Sequence, residues 1–207
     1  MKKINRENGP VFTQWGNPVL QLPTKPVPRS EISKPQFKKL VKRMFRDIEG
    51  IGVGLAANQI GLPMKLAVIE VKAHRAKKEK KGKNVSKIVP PTLIVNPKII
   101  FYSKKKVGSW EGCLSCSGVR FWVERSASIK VIYFDETNKK VTRVIDGFEA
   151  IVFQHEIDHL YGIVCGERTA IRNGKVMPGS LVSNIWYKDH PRLVPVAARR
   201  YNKKRNI

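Results

Sequence analysis

The string His155-Glu156-Ile157-Asp158-His159 constrains this chain more than any other. Imidazoles four residues apart share a face only on an α-helix, and there both can bind one metal ion. The glutamate after the first histidine then lies beside the open coordination position, where it can take a proton from bound water. Its flanks argue for burial, with Phe153-Gln154 before it, Leu160 after it, and Phe148, Ile151 and Val152 upstream. These residues predict a helix from Gly147 to Tyr161, stopped by Gly162. The competing reading is an exposed His/Glu/His face. Two imidazoles buried without a ligand would be costly to satisfy.

Periodic patterns elsewhere set this helix late in a mixed fold. Residues 33–49 read as an amphipathic helix, with Phe37, Leu40, Val41, Met44, Phe45 and Ile48 opposite Lys38, Lys39, Lys42, Arg43 and Arg46. Ser33 with Gln36 makes a capping-box pattern, Pro35 falls in the first turn, and Gly50 can end the helix. Upstream, Pro10, Pro18, Pro23, Pro26 and Pro28 predict an extended, irregular wrap. KLAVIEV (65–71) reads as a buried strand and TLIVNPKIIF (92–101) as one strand or two. SIKVIYF (128–134) and VTRVI (141–145) read as a hairpin around DETNKK. Strands gathered ahead of a late helix predict the α+β class.

At 207 residues the chain is one domain's worth, long enough to bury a core. Lys+Arg 40 against Asp+Glu 16 gives a net charge of +24, a field that gathers polyanions. No helix-turn-helix or RNP signature accompanies it, which argues against a dedicated nucleic-acid reader. Segment 72–87 reads as a solvated, Lys-rich loop insertion, and 171–207 as a basic, partly mobile extension of a unit spanning 1–170. The N-terminus lacks the apolar stretch of a signal peptide, and no run of about eighteen apolar residues occurs. A cytoplasmic compartment with no membrane partner is therefore the expectation, an organelle remaining open. Three cysteines cannot all pair within one chain.

A tetrahedral catalytic site needs a third protein ligand. Glu167 could serve, as in thermolysin-like zincins, and Cys165 stands where a metzincin places its third histidine. Upstream, Trp110-Glu111-Gly112-Cys113-Leu114-Ser115-Cys116 offers a CxxC. Both its cysteines with both histidines would make a closed structural zinc site, but one that leaves Glu156 nothing to activate. A second glycine-rich string, Gly52-Val53-Gly54-Leu55-Ala56-Ala57-Asn58-Gln59, has the wrong spacing for a dinucleotide fingerprint. Its small residues allow a ligand to approach the backbone closely, and Gln59 supplies an amide donor.

GVGLAANQ (52–59), EGCLS (111–115) and QHEIDH (154–159), in that order, together resemble the peptide deformylase family. WGNPVLQLPTKPV, IVNPKI and DHLYGIVCGER extend the resemblance over roughly residues 14–170. It implies a single α+β domain with mostly antiparallel sheets packed around a central HExxH helix. It also implies Cys113, His155 and His159 as ligands of one divalent ion, Fe2+ foremost with Zn2+ or Ni2+ as alternatives. The implied reaction removes the N-formyl group from the initiator methionine of nascent polypeptides, with metal-bound water as nucleophile and Glu156 as general base and acid. Gln59 and the Leu114 N–H would donate to the oxyanion. Val53, Phe148, Ile151 and Val152 would line the methionine pocket, Gly52 and Gly54 would contact the peptide backbone, and Arg120 would help hold it. Glu111 is counted with these substrate contacts, in a supporting ion pair with Arg125. After EGCLS the family usually continues x-Pro-Gly or x-Pro-Glu, where this chain has Cys116-Ser117-Gly118. The basic surface fits docking on ribosomal RNA. Two rivals remain at this stage: a zincin-type peptidase using Cys165 or Glu167, and an idle ribosome- or RNA-binding protein on the same scaffold.

Overall fold

The computed structural model describes residues 11–72, 88–169, 171–172, 175–176, 181–184 and 188. The Lys-rich insertion after Lys72 and most of the C-terminal extension lie outside the described residues.

A short helix α1 (Arg29–Ile32) precedes the amphipathic helix α2 (Pro35–Ile48). The Ser33/Gln36 capping box does not form. Ser33 has the αR backbone of a C-cap and closes α1, while Lys34, extended at φ −68° and ψ 143°, is the N-cap of α2. The cause is local: the residue before a proline is driven out of the helical region, so Pro35 makes Lys34 the boundary. At the other end Gly50 takes φ +77°, as a helix stop requires.

A five-stranded antiparallel sheet runs in the order β1 (Gly54–Ala56), β2 (Leu66–Val71), β3 (Val89–Tyr102), β6 (Ser128–Phe134), β7 (Lys140–Asp146). TLIVNPKIIF is part of one long strand. Its register shifts between Val95 and Lys98, where Asn96 has φ +50°, so its first part pairs β2 and the rest pairs β6. The continuous apolar run of β2 has a clear reason. Ala67, Ile69 and Val71 join the core on one face, whereas Leu66 and Val68 join Phe37, Met44 and Ile48 of α2 on the other.

The helix α3 (Gly147–Leu160) packs its Ala150, Val152, Phe153, Ile157 and Leu160 into the first of these cores. It also touches β5 (Cys116–Ser126), which forms a second sheet with β4 (Lys106–Cys113) and β10 (Leu181–Ser183). The extension expected after residue 170 therefore contributes structure: β8 (Ile171–Arg172) pairs β9 (Lys175–Val176), and Leu181–Ser183 pairs β5 as an edge strand. The pairing of Leu181–Ser183 with β5 crosses residue 170, because three residues of weak pattern suffice when an open strand edge is available. Among the described residues no helix is long and apolar enough to cross a membrane.

Candidate metal centre

β4 and β5 form a hairpin whose register brings Cys113 opposite Cys116 across the Leu114-Ser115 turn. That places Cys113 at the end of β4, beside His155 and His159 in the C-terminal half of α3. The ligand atoms of Cys113, His155 and His159 lie within 4.8 Å of one another, with Cys113 Sγ 3.2 Å from His159 Nε2. The two imidazoles meet edge to face, 5.1 Å between centroids. His159 is fully buried, and its peptide carbonyl accepts from Asn58 Nδ2 at 2.6 Å. His155 Nδ1 donates to Glu111 Oε2 at 2.8 Å, which fixes the ring and leaves Nε2 for a metal.

Glu111 does more than the sequence reading gave it. Both its oxygens are taken by the Arg125 guanidinium, one of them shared with His155, and the carboxylate is buried. It orients His155 and also lines the neighbouring cleft. Arg125 reaches on to Asp158 Oδ2 at 2.7 Å, and Arg168 grips the same carboxylate at 2.8 and 3.1 Å. Asp158 and Arg168 had no role in the sequence reading. A charged residue inside an otherwise apolar helix signals a buried partner, but only strand register shows that the partner is Arg125.

The electrostatics suit a cation. Burial alone would raise Glu111, but the His155 hydrogen bond and the Arg125 charge outweigh it and hold the carboxyl at about 2. Cys113 is drawn well below the ordinary thiol range by hydrogen bonds from Cys116 and Cys165, against the opposing effect of burial. Burial opposes a charge on His155, yet Cys113 and Glu111 push it well above the ordinary imidazole value. Groups that favour a proton there favour a metal cation in its place. One thiolate and two imidazoles form a borderline-soft set that fits a late first-row divalent ion.

Glu156 is buried on α3, and its Oε2 has no hydrogen-bond partner among the described residues. Burial raises its carboxyl to about 7, only partly offset by His155 and His159. A Cβ on Gly54 would overlap this carboxylate, so the second glycine of GVGLAANQ makes room for Glu156. Gln59, also buried, accepts the Ala56 N–H at 2.9 Å and turns its Nε2 towards Ser115 Oγ (3.2 Å) and Cys113 Sγ (3.4 Å).

A cleft of about 560 Å³ opens beside these groups. Its lining includes Gly52, Val53, Gly54, Leu114 and Arg120, with Phe148, Ile151 and Val152 from α3. Cys113, His155 and Glu156 also face it. Arg120 packs over Gly112, where a Cβ would sit 3.1 Å from its Nη1. A larger depression, about 750 Å³, runs along α2 and holds none of the residues of the three motifs. Of the rival third ligands, Glu167 is bound to the Val164 N–H at 2.8 Å, and Cys165 groups with Cys113 and Cys116.

The polypeptide deformylase family model matches residues 11–174. A peptide deformylase of Leptospira biflexa is 40% identical over 154 residues, covering 74% of this chain and 83% of its own. The chloroplastic peptide deformylase 1A of Solanum lycopersicum is 33% identical over 167 residues, 79% of this chain and 60% of its own. Among solved structures, a peptide deformylase from Synechococcus elongatus in complex with actinonin superposes with a TM-score of 0.68 at 32% identity, covering 83% of this chain and 84% of that one.

Proposed function

Because the chain belongs to the polypeptide deformylase family, we propose that Cys113, His155 and His159 hold its metal and that Glu156 carries the proton in its reaction. The enzyme is a metal-dependent hydrolase that removes the N-formyl group from nascent polypeptides, releasing formate and a free methionyl amine. On this reading α3 is the centre of the fold, and the catalytic unit comprises 1–170 together with the strand Leu181–Ser183. The family resemblance favours Fe2+, and the donor set admits Zn2+ or Ni2+ equally well. When bound, such an ion supplies a Lewis acid and makes a water acidic enough to ionise near neutral pH.

The residues of the chain do the rest. A carboxyl raised to about 7 holds or yields a proton with nearly equal ease at cellular pH. Glu156 therefore takes a proton from the attacking water and returns it to the departing amine. Gln59 Nε2 and the Leu114 N–H donate to the oxygen that gains charge, each donor typically worth about 3 kcal/mol of barrier. Val53, Phe148, Ile151 and Val152 receive the methionine side chain, while Gly52 and Arg120 align the peptide. Bacterial and chloroplastic relatives support a cytoplasmic or organellar setting, and the net charge of +24 supports docking on ribosomal RNA. Co-sedimentation with ribosomes that weakens as salt rises tests the docking; sedimentation indifferent to salt would contradict it.

The observation that carries the proposal is a buried Glu156, its Oε2 unpartnered among the described residues, beside a convergent Cys113/His155/His159 set. Anaerobic turnover of a formyl-Met tripeptide by wild type and Glu156→Gln, with bound metal quantified, tests it. Activity should fall about 100-fold or more with metal retained. Full activity in the variant would refute the role of Glu156.

A further inference from the structure

All three cysteines of the chain meet at one place. The sulfurs of Cys113, Cys116 and Cys165 lie within 4.8 Å of one another, and none is in a disulfide. They arrive from different elements: Cys113 ends β4, Cys116 begins β5 across the hairpin turn, and Cys165 opens the 3-10 turn Cys165–Arg168. The deformylase reaction uses only the first. Cys116 and Cys165 sit in an apolar cluster with Leu20, Phe121, Val123 and Val164, where an aliphatic side chain would pack as well as a thiol.

The spacing suits a trigonal metal. A cation with metal–sulfur bonds of about 2.3 Å holds three sulfurs about 4.0 Å apart, so the cluster needs to contract by at most about 0.8 Å. Sulfur-only donors select soft cations, whereas the neighbouring set of one sulfur and two nitrogens is borderline. Cys113 and Cys116 both line the cleft, which gives an ion a route to the cluster.

We propose that Cys113, Cys116 and Cys165 form an all-sulfur site for a soft, thiophilic cation such as cuprous ion, and that its occupation excludes metal at Cys113, His155 and His159. The exclusion rests on the deformylase assignment of Cys113, because two cations sharing its sulfur at bonds of about 2.3 Å would lie no more than about 4.6 Å apart and repel each other in a buried site; the three-sulfur site stands without it. Binding converts the Cys116 and Cys165 thiols to thiolates, and their two protons pass to solvent. No electron moves, so the cation is bound in the oxidation state in which it arrives. The site would make this enzyme sensitive to soft metals through withdrawal of one ligand, with no damage to the protein.

The test uses the full chain loaded with Ni2+, kept anaerobic, and titrated with cuprous ion. Copper-edge X-ray absorption should report three sulfur neighbours, with one Ni2+ released per copper bound. In Cys116→Ser/Cys165→Ser, or in Cys165→Ala should the double variant fail to fold, the copper shell should drop below three sulfurs and Ni2+ should be retained. One sulfur with two nitrogens around copper in the wild type would overturn the proposal while leaving the deformylase ligands intact. Three sulfurs around copper with Ni2+ retained would keep the sulfur site and refute its coupling to the deformylase centre.

Discussion

The helices α2 and α3 have the same length and opposite characters. α2 buries Phe37, Met44 and Ile48 and turns a lysine- and arginine-rich face outward. α3 buries Gln154, Glu156 and His159 along with its apolar residues, so its polar groups must find partners inside the protein. It finds them across the sheets. Gln154 bonds the Ser126 backbone at 3.1 and 2.9 Å, Asp158 pairs with Arg125, and His155 leans on Glu111. The contrast teaches that one helix is held by burial alone, while the other ties Gln154, His155 and Asp158 to other elements and leaves Glu156 Oε2 and His159 Nδ1 unbonded among the described residues. α2 is replaceable packing, whereas α3 is one half of a charge network.

The sharpest way to break this contrast is Glu111→Ala. It removes two of the three hydrogen bonds on the buried Arg125 guanidinium, leaving only Asp158, and breaking a buried pair typically costs about 3–5 kcal/mol. It also frees the His155 ring, and loss of such a support typically weakens metal binding about 10–100-fold. Urea unfolding and metal titration read the two effects separately. Met44→Ala, in the fully buried face of α2, should cost about 2–5 kcal/mol in urea and leave metal affinity unchanged. A change in metal affinity there would show that the helices are not independent.

Gly54→Ala comes next. The added methyl meets the Glu156 carboxylate, and overpacking of this kind typically costs about 1–3 kcal/mol. Turnover should fall by more than stability explains, with metal content intact, because the displaced group is the proposed proton carrier.

The smallest effect belongs to the exposed end of α2, where the Glu49 carboxylate and the Lys72 ammonium lie 2.7 Å apart. Its hydrogen bond and charge attraction to Lys72 hold Glu49 below its ordinary value. A carboxyl depressed in the folded state contributes above its unfolded value of 4.5 and loses that contribution as pH falls through the folded value. NMR titration should find the Glu49 midpoint below 4.5, moving up in Lys72→Ala or at high salt, with no resolvable change in melting temperature. A midpoint indifferent to both would show that the pair is not formed in solution.

Local grammar made much of this legible. Gly147 and Gly162 bracket α3, DETNKK turns the β6–β7 hairpin, and the unbroken apolar run of β2 marks a strand covered on both faces. The convergence of Cys113, His155 and His159 was legible too, through the resemblance and not through spacing, since Cys113 is brought to the histidines by hairpin register. What stayed hidden depends on distant pairing or on space. Arg125 and Asp158 are 33 residues apart, Gly54 is explained by a carboxylate on another element, and Cys165 joins Cys113 through a turn with no periodic signal. Ser33 misled because a capping pattern was read without the backbone constraint that Pro35 places on Lys34.

The central claim is that one thiolate and two imidazoles bind the catalytic ion beside Glu156. Anomalous diffraction at the metal edge, from crystals of the anaerobically loaded enzyme, measures it directly. The account predicts a single peak bonded to Cys113 Sγ and to the Nε2 atoms of His155 and His159, with the Glu156 carboxylate outside bonding distance. A peak bonded to Cys165 or Glu167 in place of Cys113, or one coordinated by Glu156 itself, would contradict it.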